Sequence, residues 1–368
     1  MMKSEESVDL LRRMLEIYSP SGKEGKIASF LMEAMSSLGF EDVRMDRAGN
    51  VYGEVGRGKF SVLLCGHMDT VTGWIPVKEE NDRLYGRGAV DAKSSLAAMI
   101  SAAAMLKPKI QDAGKIVVAG VVDEEGKARG IRQLIKENLT VDCAIFGEPS
   151  GLKNITFAYK GRVYLQILCE SSTGHVGAQH LFENAIEAAY DLWSHLKDLS
   201  NRYRSPHGIF YSLSLLLTRI SSRRTYGGVP DKCLLEIDMR LPPTFNSERA
   251  IQLIKDAVEE FLGEKSGISV SMRLIDQIEP FVARRDTIVI ESLKRAILEV
   301  TGEPARLIRK TGTGDMNIFG NEKCVPVATY GPGDSRLSHT RCEYIEISDY
   351  LTSIQIYKRA LEEILSIG

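Results

Sequence analysis

The chain carries two textures of apolar and polar positions. In the first, short continuous apolar runs stop abruptly at polar clusters. Ser61 to Cys65 is followed by Gly66-His67-Met68-Asp69-Thr70. Ile116 to Val122 is followed by Asp123-Glu124-Glu125-Gly126, and Val141 to Phe146 by Gly147-Glu148-Pro149-Ser150. Runs of this length, bounded by turn residues, predict strands buried on both faces of a parallel sheet. Stretches with apolar residues at helical spacing predict helices over 8–18, 24–38 and 94–106, the first ended by Ser19-Pro20-Ser21-Gly22 and the second by Gly39. Val43 to Met45 and Val51 to Gly53 predict short strands around the turn Arg47-Ala48-Gly49-Asn50.

From about Ala158 the pattern changes to alternation. Strand-like stretches at 163–169, 209–220, 233–240 and 268–274 are interleaved with amphipathic helical stretches at 184–196 and 247–262. That βαββαβ order predicts a two-layer α+β domain with its own sheet. The helical stretch Thr287 to Glu299 returns to the first texture. The expectation is an α/β domain over 1–158 and 278–368, with a mostly parallel central sheet flanked by helices, interrupted by an inserted α+β domain over 159–277.

Composition narrows the classes. A chain of 368 residues has room for two or three domains, and 43% hydrophobic content suits a packed core. A net charge of -2 gives no global field of the kind nucleic-acid binders carry. The six cysteines form no CxxC pair, which excludes a zinc ribbon or thioredoxin motif. Residues 1–13 lack a signal-peptide apolar core, and no apolar run is long enough to span a bilayer. A reduced, soluble, cytoplasmic protein is expected, without structural disulfides and without a nucleic-acid or membrane partner.

The polar clusters are the candidate chemistry. Catalytic groups of open α/β sheets lie beyond the carboxyl ends of strands. His67 stands there, and Asp69 is placed to take its second imidazole proton. Taken singly, these residues leave several readings open. Glu124 and Glu125 fit a solvated acidic turn, and Asp91 fits a helix cap. Gly86-x-Gly88 is an incomplete nucleotide-loop fingerprint. His339 fits a solvated loop, and Arg240 a surface charge at a strand end. Taken together, one rim presents an imidazole with several carboxylates, a donor set suited to zinc or a similar divalent ion.

Five motifs then occur in a telling order: Gly66-His67-Met68-Asp69-Thr70-Val71, Gly86-Arg87-Gly88-Ala89-Val90-Asp91, Asp123-Glu124-Glu125-Gly126, Gly147-Glu148-Pro149-Ser150 and His339. In this the chain resembles the M20 metallopeptidases and deacylases along essentially its whole length. Residues 66–77 (with Trp74-Ile75-Pro76-Val77), Tyr85 to Ser94 and Tyr330 to Ser335 resemble the LysK-type hydrolases most. Those enzymes release lysine or ornithine from an amino-group carrier protein (LysW) or deacetylate N-acetyl-lysine.

The resemblance implies a catalytic domain with an inserted lid and dimerisation domain, and a homodimer or higher oligomer. It implies two divalent ions, zinc first and cobalt second, bridged by Asp91. His67 and Glu148 complete one site, and Glu125 and His339 the other. Glu124 is the implied general base, and Asp91–Ala92 an implied cis peptide. His175 is the implied oxyanion donor in the partner's site. Arg240 and the loop Thr311-Gly312-Thr313 are implied to bind the substrate carboxylate. The chain departs from the family at Gly228, where an asparagine is common, and this leaves the substrate open. Carrier-linked lysine or ornithine stands first. N-acetylornithine, N-acetyl-lysine or succinyl-diaminopimelate is the small-molecule alternative, and a silent binding protein the alternative of another class. A carrier partner would find a basic cluster at Arg202, Arg204, Arg223, Arg224, Arg306, Arg309 and Lys310.

Overall fold

Because the apolar runs need cover on both faces, they become the centre of a sheet with helices packed over it. The computed structural model describes residues 3–137, 139–223 and 226–367. The chain divides into two compact units. One holds the chain up to Phe157, Ala283–Arg309 and the chain from Gly314, and the other holds Ala158–Val282 and Lys310–Thr313.

The first unit opens with helices α1 (Ser4–Glu16) and α2 (Gly25–Ser37), then strands β1 (Glu41–Met45), β2 (Val51–Val55) and β3 (Ser61–His67). A small hairpin, β4 (Lys78–Glu80) and β5 (Arg83–Tyr85), precedes α3 (Lys93–Ile110). Then come β6 (Lys115–Val121), α4 (Arg129–Lys136), β7 (Cys143–Gly147) and β8 (Asn154–Tyr159), whose last residues enter the second unit.

The second unit continues with β9 (Gly161–Ser171), α5 (Ala185–Asn201), β10 (Ser214–Ser222), β11 (Lys232–Leu241), α6 (Ser247–Gly263), β12 (Ile268–Ile278) and β13 (Phe281–Val282). Its sheet has the order β10-β11-β9-β12, antiparallel at every pairing. Period-two alternation puts Val163, Leu165, Ile167 and Cys169 in the core with residues of α5 and α6. The chain returns to the first unit at Ala283, later than 278, because Phe281 and Val282 pair with Tyr159 and Ala158.

The first unit closes with α7 (Ile288–Thr301), β14 (Arg306–Lys310), α8 (Asp315–Lys323), β15 (Val327–Thr329), β16 (Tyr344–Glu346) and α9 (Ile347–Ile364). Its sheet runs β1-β2-β6-β3-β7-β15-β8. The central pairs β6–β3, β3–β7 and β7–β15 are parallel. Helix α3 is buried over most of its length, and its Ala97, Ala98, Ala102 and Ala103 are fully covered. Gly66 lets it come close, because a Cβ there would sit 3.2 Å from Leu96 Cβ. No helix of the described residues is long and apolar enough to cross a membrane.

Two local expectations change. The stretch 209–220 is not one strand. It curls through a short 3-10 turn, Ile209–Tyr211, before β10 begins. The buried Lys160 ammonium gathers the carbonyls of Ile209 and Ser212 at 3.2 and 2.6 Å, and an extended strand would not offer both. Asp91 does not cap α3; the cap position is Ala92, with no side-chain cap bond, and the Asp91–Ala92 peptide is cis. Cys169 and Cys233, distant in sequence, are cross-strand partners in the β9–β11 register, although all six cysteines are free thiols.

Candidate metal centre

Register alone brings the first cluster together. His67 ends β3 opposite Val121 of β6, and Gly66 lies opposite Gly147 of β7. The residues following β6 and β7 therefore flank the imidazole on both sides. On one side, Asp123 takes a left-handed φ of +60° and turns Glu124 and Glu125 back across the strand ends. On the other, Glu148 Oε1 lies 3.6 Å from His67 Nε2.

His67 is buried, and its two nitrogens have separate tasks. Nδ1 lies 2.9 Å from the main-chain carbonyl of Asp69. A carbonyl can only accept, so Nδ1 carries the proton and Nε2 is left as the donor atom for an ion. The Asp69 carboxylate, expected to fix the tautomer, is farther away at 3.6 Å. It instead accepts the N–H groups of Glu124 at 3.0 Å and Glu125 at 3.2 Å, and the Ser21 hydroxyl at 2.6 Å. Asp69 thus holds the acidic turn in place while its carbonyl holds the histidine.

Asp91 faces two histidines at once. Its Oδ1 lies 3.4 Å from His67 Nε2, and its Oδ2 lies 3.4 Å from His339 Nε2. His339 Nε2 also meets Glu125 Oε1 at 2.7 Å. His339 sits in a loop with a left-handed φ of +63° and remains half exposed. Two overlapping donor groups result, His67–Asp91–Glu125 and His67–Glu124–Glu148, each with ligand atoms within 4.8 Å of one another.

The electrostatics follow from crowding acids into a buried rim. Burial raises the Glu124 carboxyl well above the usual range, and the charge of Glu148 adds to it. Burial also opposes ionisation of Asp91, but hydrogen bonds from His339 and His67 outweigh it and hold the group low. Hydrogen bonds to Asp91 and Glu125 push His339 up to about 10. So many clustered carboxylates are costly to bury unless positive charge meets them. Imidazole nitrogen and carboxylate oxygen, without thiolate, are the donors that divalent zinc and its neighbours take. The residues present therefore fit divalent metal, which these two donor groups would hold.

The sequence pattern of peptidase family M20/M25/M40 matches residues 63–363. The chain belongs to that family. Members are metal-dependent hydrolases of amide bonds, and this chain shares their fold. It is 32% identical over 366 residues to the [LysW]-lysine hydrolase of Deinococcus radiodurans, covering 97% of this chain and 96% of that one. It is 33% identical over 357 residues to the [LysW]-lysine/[LysW]-ornithine hydrolase of Saccharolobus solfataricus, covering 97% and 95%. Among solved structures, a tripeptidase of Staphylococcus aureus superposes with a TM-score of 0.84 over all of both chains at 20% identity, a likeness of fold.

The remaining family positions lie in the second unit. His175 is exposed and precedes a short 3-10 turn; its Nδ1 accepts the Gly177 N–H at 3.0 Å. Its main chain bridges to Gly228, so the position that departs from the family lies directly across from the histidine. Arg240 is half-buried, and Asp238 already engages its Nε at 2.6 Å and Nη2 at 3.3 Å. Thr311, Gly312 and Thr313 form the bend after β14. Of the basic residues, Arg202, Arg204 and Arg223 are exposed in the second unit, and Arg306 and Arg309 in the first. Arg224 lies outside the described residues.

Two residues of the first unit had escaped sequence reasoning. Glu343 is fully buried and binds the Asp91 turn. Asp315 starts α8, and its Oδ1 has no hydrogen-bond partner among the described residues; burial pushes its carboxyl up to about 7. A lone acid beyond a histidine, or at a helix start, has no periodicity to reveal it.

Proposed function

We propose that this chain hydrolyses the amide joining lysine or ornithine to an amino-group carrier protein of the LysW type, in the biosynthesis of lysine or arginine. The whole-length similarity to hydrolases named for that substrate supports the substrate class. The observation that carries the chemistry is Asp91, with one oxygen toward His67 and the other toward His339. His67 and Glu148 would hold one ion with Asp91, and Glu125 and His339 the second; zinc stands first, cobalt second. Bound there, such ions polarise an amide carbonyl and lower the pKa of water.

The chain's own groups then divide the proton work. Glu125 faces His339, whereas Glu124 lies at the same turn with a carboxyl already poised toward protonation. Glu124 takes a proton from the attacking water and passes it to the leaving amine. Asp69 keeps that turn and His67 in place. His175 donates to the developing oxyanion, Arg240 and the Thr311–Thr313 bend receive the substrate carboxylate, and the assembly is a homodimer. Free thiols throughout suit a reduced cytoplasm.

The test is a panel of carrier-linked lysine, carrier-linked ornithine, N-acetyl-lysine, N-acetylornithine and succinyl-diaminopimelate, each with Zn²⁺ or Co²⁺, following amine release. Preference for the carrier-linked amines supports the proposal. Equal or better turnover of a free N-acyl amino acid makes the protein a small-molecule deacylase. Metal binding without turnover of any substrate makes it a binding protein.

A further inference from the structure

The turn that presents Asp91 is organised from behind by one side chain. Glu343 Oε1 accepts the main-chain N–H of Gly88 at 3.1 Å, of Val90 at 2.9 Å and of Asp91 at 3.0 Å. Its Oε2 accepts from Arg87 Nη1 at 2.9 Å, and Arg87 Nε donates to the carbonyl of Gly73 at 2.9 Å. Glu343 is fully buried and Arg87 nearly so. A carboxylate that gathers several N–H groups is a strong, directional acceptor, and it fixes the dihedral angles of the turn that supplies them.

The same residue also reaches the other side of the site. The main-chain carbonyl of Glu343 accepts the N–H of Gly86 at 3.2 Å. Directly after it, β16 pairs with β5, Tyr344 opposite Tyr85. Glu343 lies on the segment that leaves the His339 loop. One residue therefore grips the turn of Asp91 with its side chain and ties the two segments together with its backbone. Asp69 does the equivalent for Glu124 and Glu125.

We propose that Glu343 is a positioning residue of the metal centre: it sets the Asp91 turn and holds it in register with the segment carrying His339. This rests on the two-ion reading of the site. Substitution of such outer partners lowers metal affinity by about 10–100-fold where they orient a ligand.

The experiment titrates Zn²⁺ into the metal-stripped full chain against a chromophoric chelator, for wild type, Glu343→Gln and Glu343→Asp. It also records the visible absorption of the Co²⁺ forms and the thermal unfolding of the stripped forms. Glutamine turns an N–H₂ toward Arg87, and aspartate draws the oxygens back from the turn. Both should weaken Zn²⁺ binding by about 10–100-fold and shift the Co²⁺ bands, with far-ultraviolet circular dichroism unchanged. If glutamine fails to fold, aspartate, which keeps the charge opposite Arg87, decides. A role limited to burying an ion pair would lower the unfolding temperature yet leave Zn²⁺ affinity within about threefold of wild type and the Co²⁺ bands in place; that result overturns the proposal. Wild type that binds no Zn²⁺ overturns the two-ion reading itself, and the wild-type titration shows this separately.

Discussion

Asp69 Oδ1 accepts the main-chain N–H of Glu124 at 3.0 Å, so the residue beside the histidine also fixes the proposed base. Asparagine at position 69 keeps the shape but sets an N–H₂ either against the Glu124 N–H or against the Glu125 N–H and Ser21 Oγ together. Asp69→Asn should therefore lower kcat by about 10–100-fold while both ions stay bound. Steady-state kinetics alongside elemental analysis check this, and an unchanged kcat would remove Asp69 from the machinery.

Glu124 and Glu125 are neighbours with different surroundings, since only Glu125 meets His339. Glu124→Gln should keep the metal content and lose about 10²–10⁴ in kcat, the usual range for a positioned proton-transfer group. Loss of one equivalent of metal would instead make Glu124 a ligand, a role its distance from His67 and Glu148 also allows.

His175 lies in the second unit and is exposed, whereas Asp91, Glu124, Glu125 and Glu148 belong to the first. If it serves the partner's site, inactive His175→Ala and inactive Glu124→Gln subunits should regain activity when mixed, because half the sites in a heterodimer hold both groups. Verified heterodimers without activity would exclude sharing.

Arg202 and Arg204 are exposed on the second unit of a chain whose net charge is only -2. Local positive fields steer acidic partners and are screened within about 8 Å at physiological salt. Reversing both to Glu should raise KM for carrier-linked lysine and leave N-acetyl-lysine hydrolysis unchanged, with added salt acting the same way. Equal effects on both substrates would argue against docking there.

Lys160 offers a pH-dependent stability test away from the acids. Burial, helped by Arg240 nearby, lowers its ammonium to about 8, whereas an unfolded lysine titrates near 10.4. Between those values the unfolded chain binds the extra proton, so this residue makes stability rise with pH across that window. Lys160→Met should flatten the rise. Unfolding temperatures of both proteins at pH 7.5 and 9.5 read it out, and a parallel dependence in the two would mean that Lys160 stays charged in the fold.

The strands of the first unit were legible because burial on both faces writes a continuous apolar run, and turn residues mark where it stops. Ser61–His67, Lys115–Val121 and Cys143–Gly147 all fall where the pattern put them, within a residue or two. The inserted unit was legible through alternation and the βαββαβ order. Other features depend on contacts between distant segments. The curl at Ile209–Tyr211 is held by Lys160, which lies between β8 and β9. The pairing of Cys169 with Cys233 needs the register, and the grip of Glu343 on Asp91 spans most of the chain. Helix α9 is a different case: Ile347, Tyr350, Ile354, Tyr357, Leu361 and Ile364 repeat at helical spacing and are buried, so the sequence does carry a signal for it.

The insertion also imposes an order on biosynthesis. A ribosome working from the amino end delivers His67, Asp91, Glu124, Glu125 and Glu148 first, then the whole second unit, and only then His339 and Glu343. Until that last segment emerges, the nascent chain carries an acidic rim with neither its second histidine nor the carboxylate that braces the Asp91 turn. The second unit has its own apolar core, built from residues between Val163 and Phe261, and can consolidate meanwhile. If His339 holds an ion as proposed, the site of that ion is complete only at the end of synthesis, and a prematurely terminated chain lacks both His339 and Glu343.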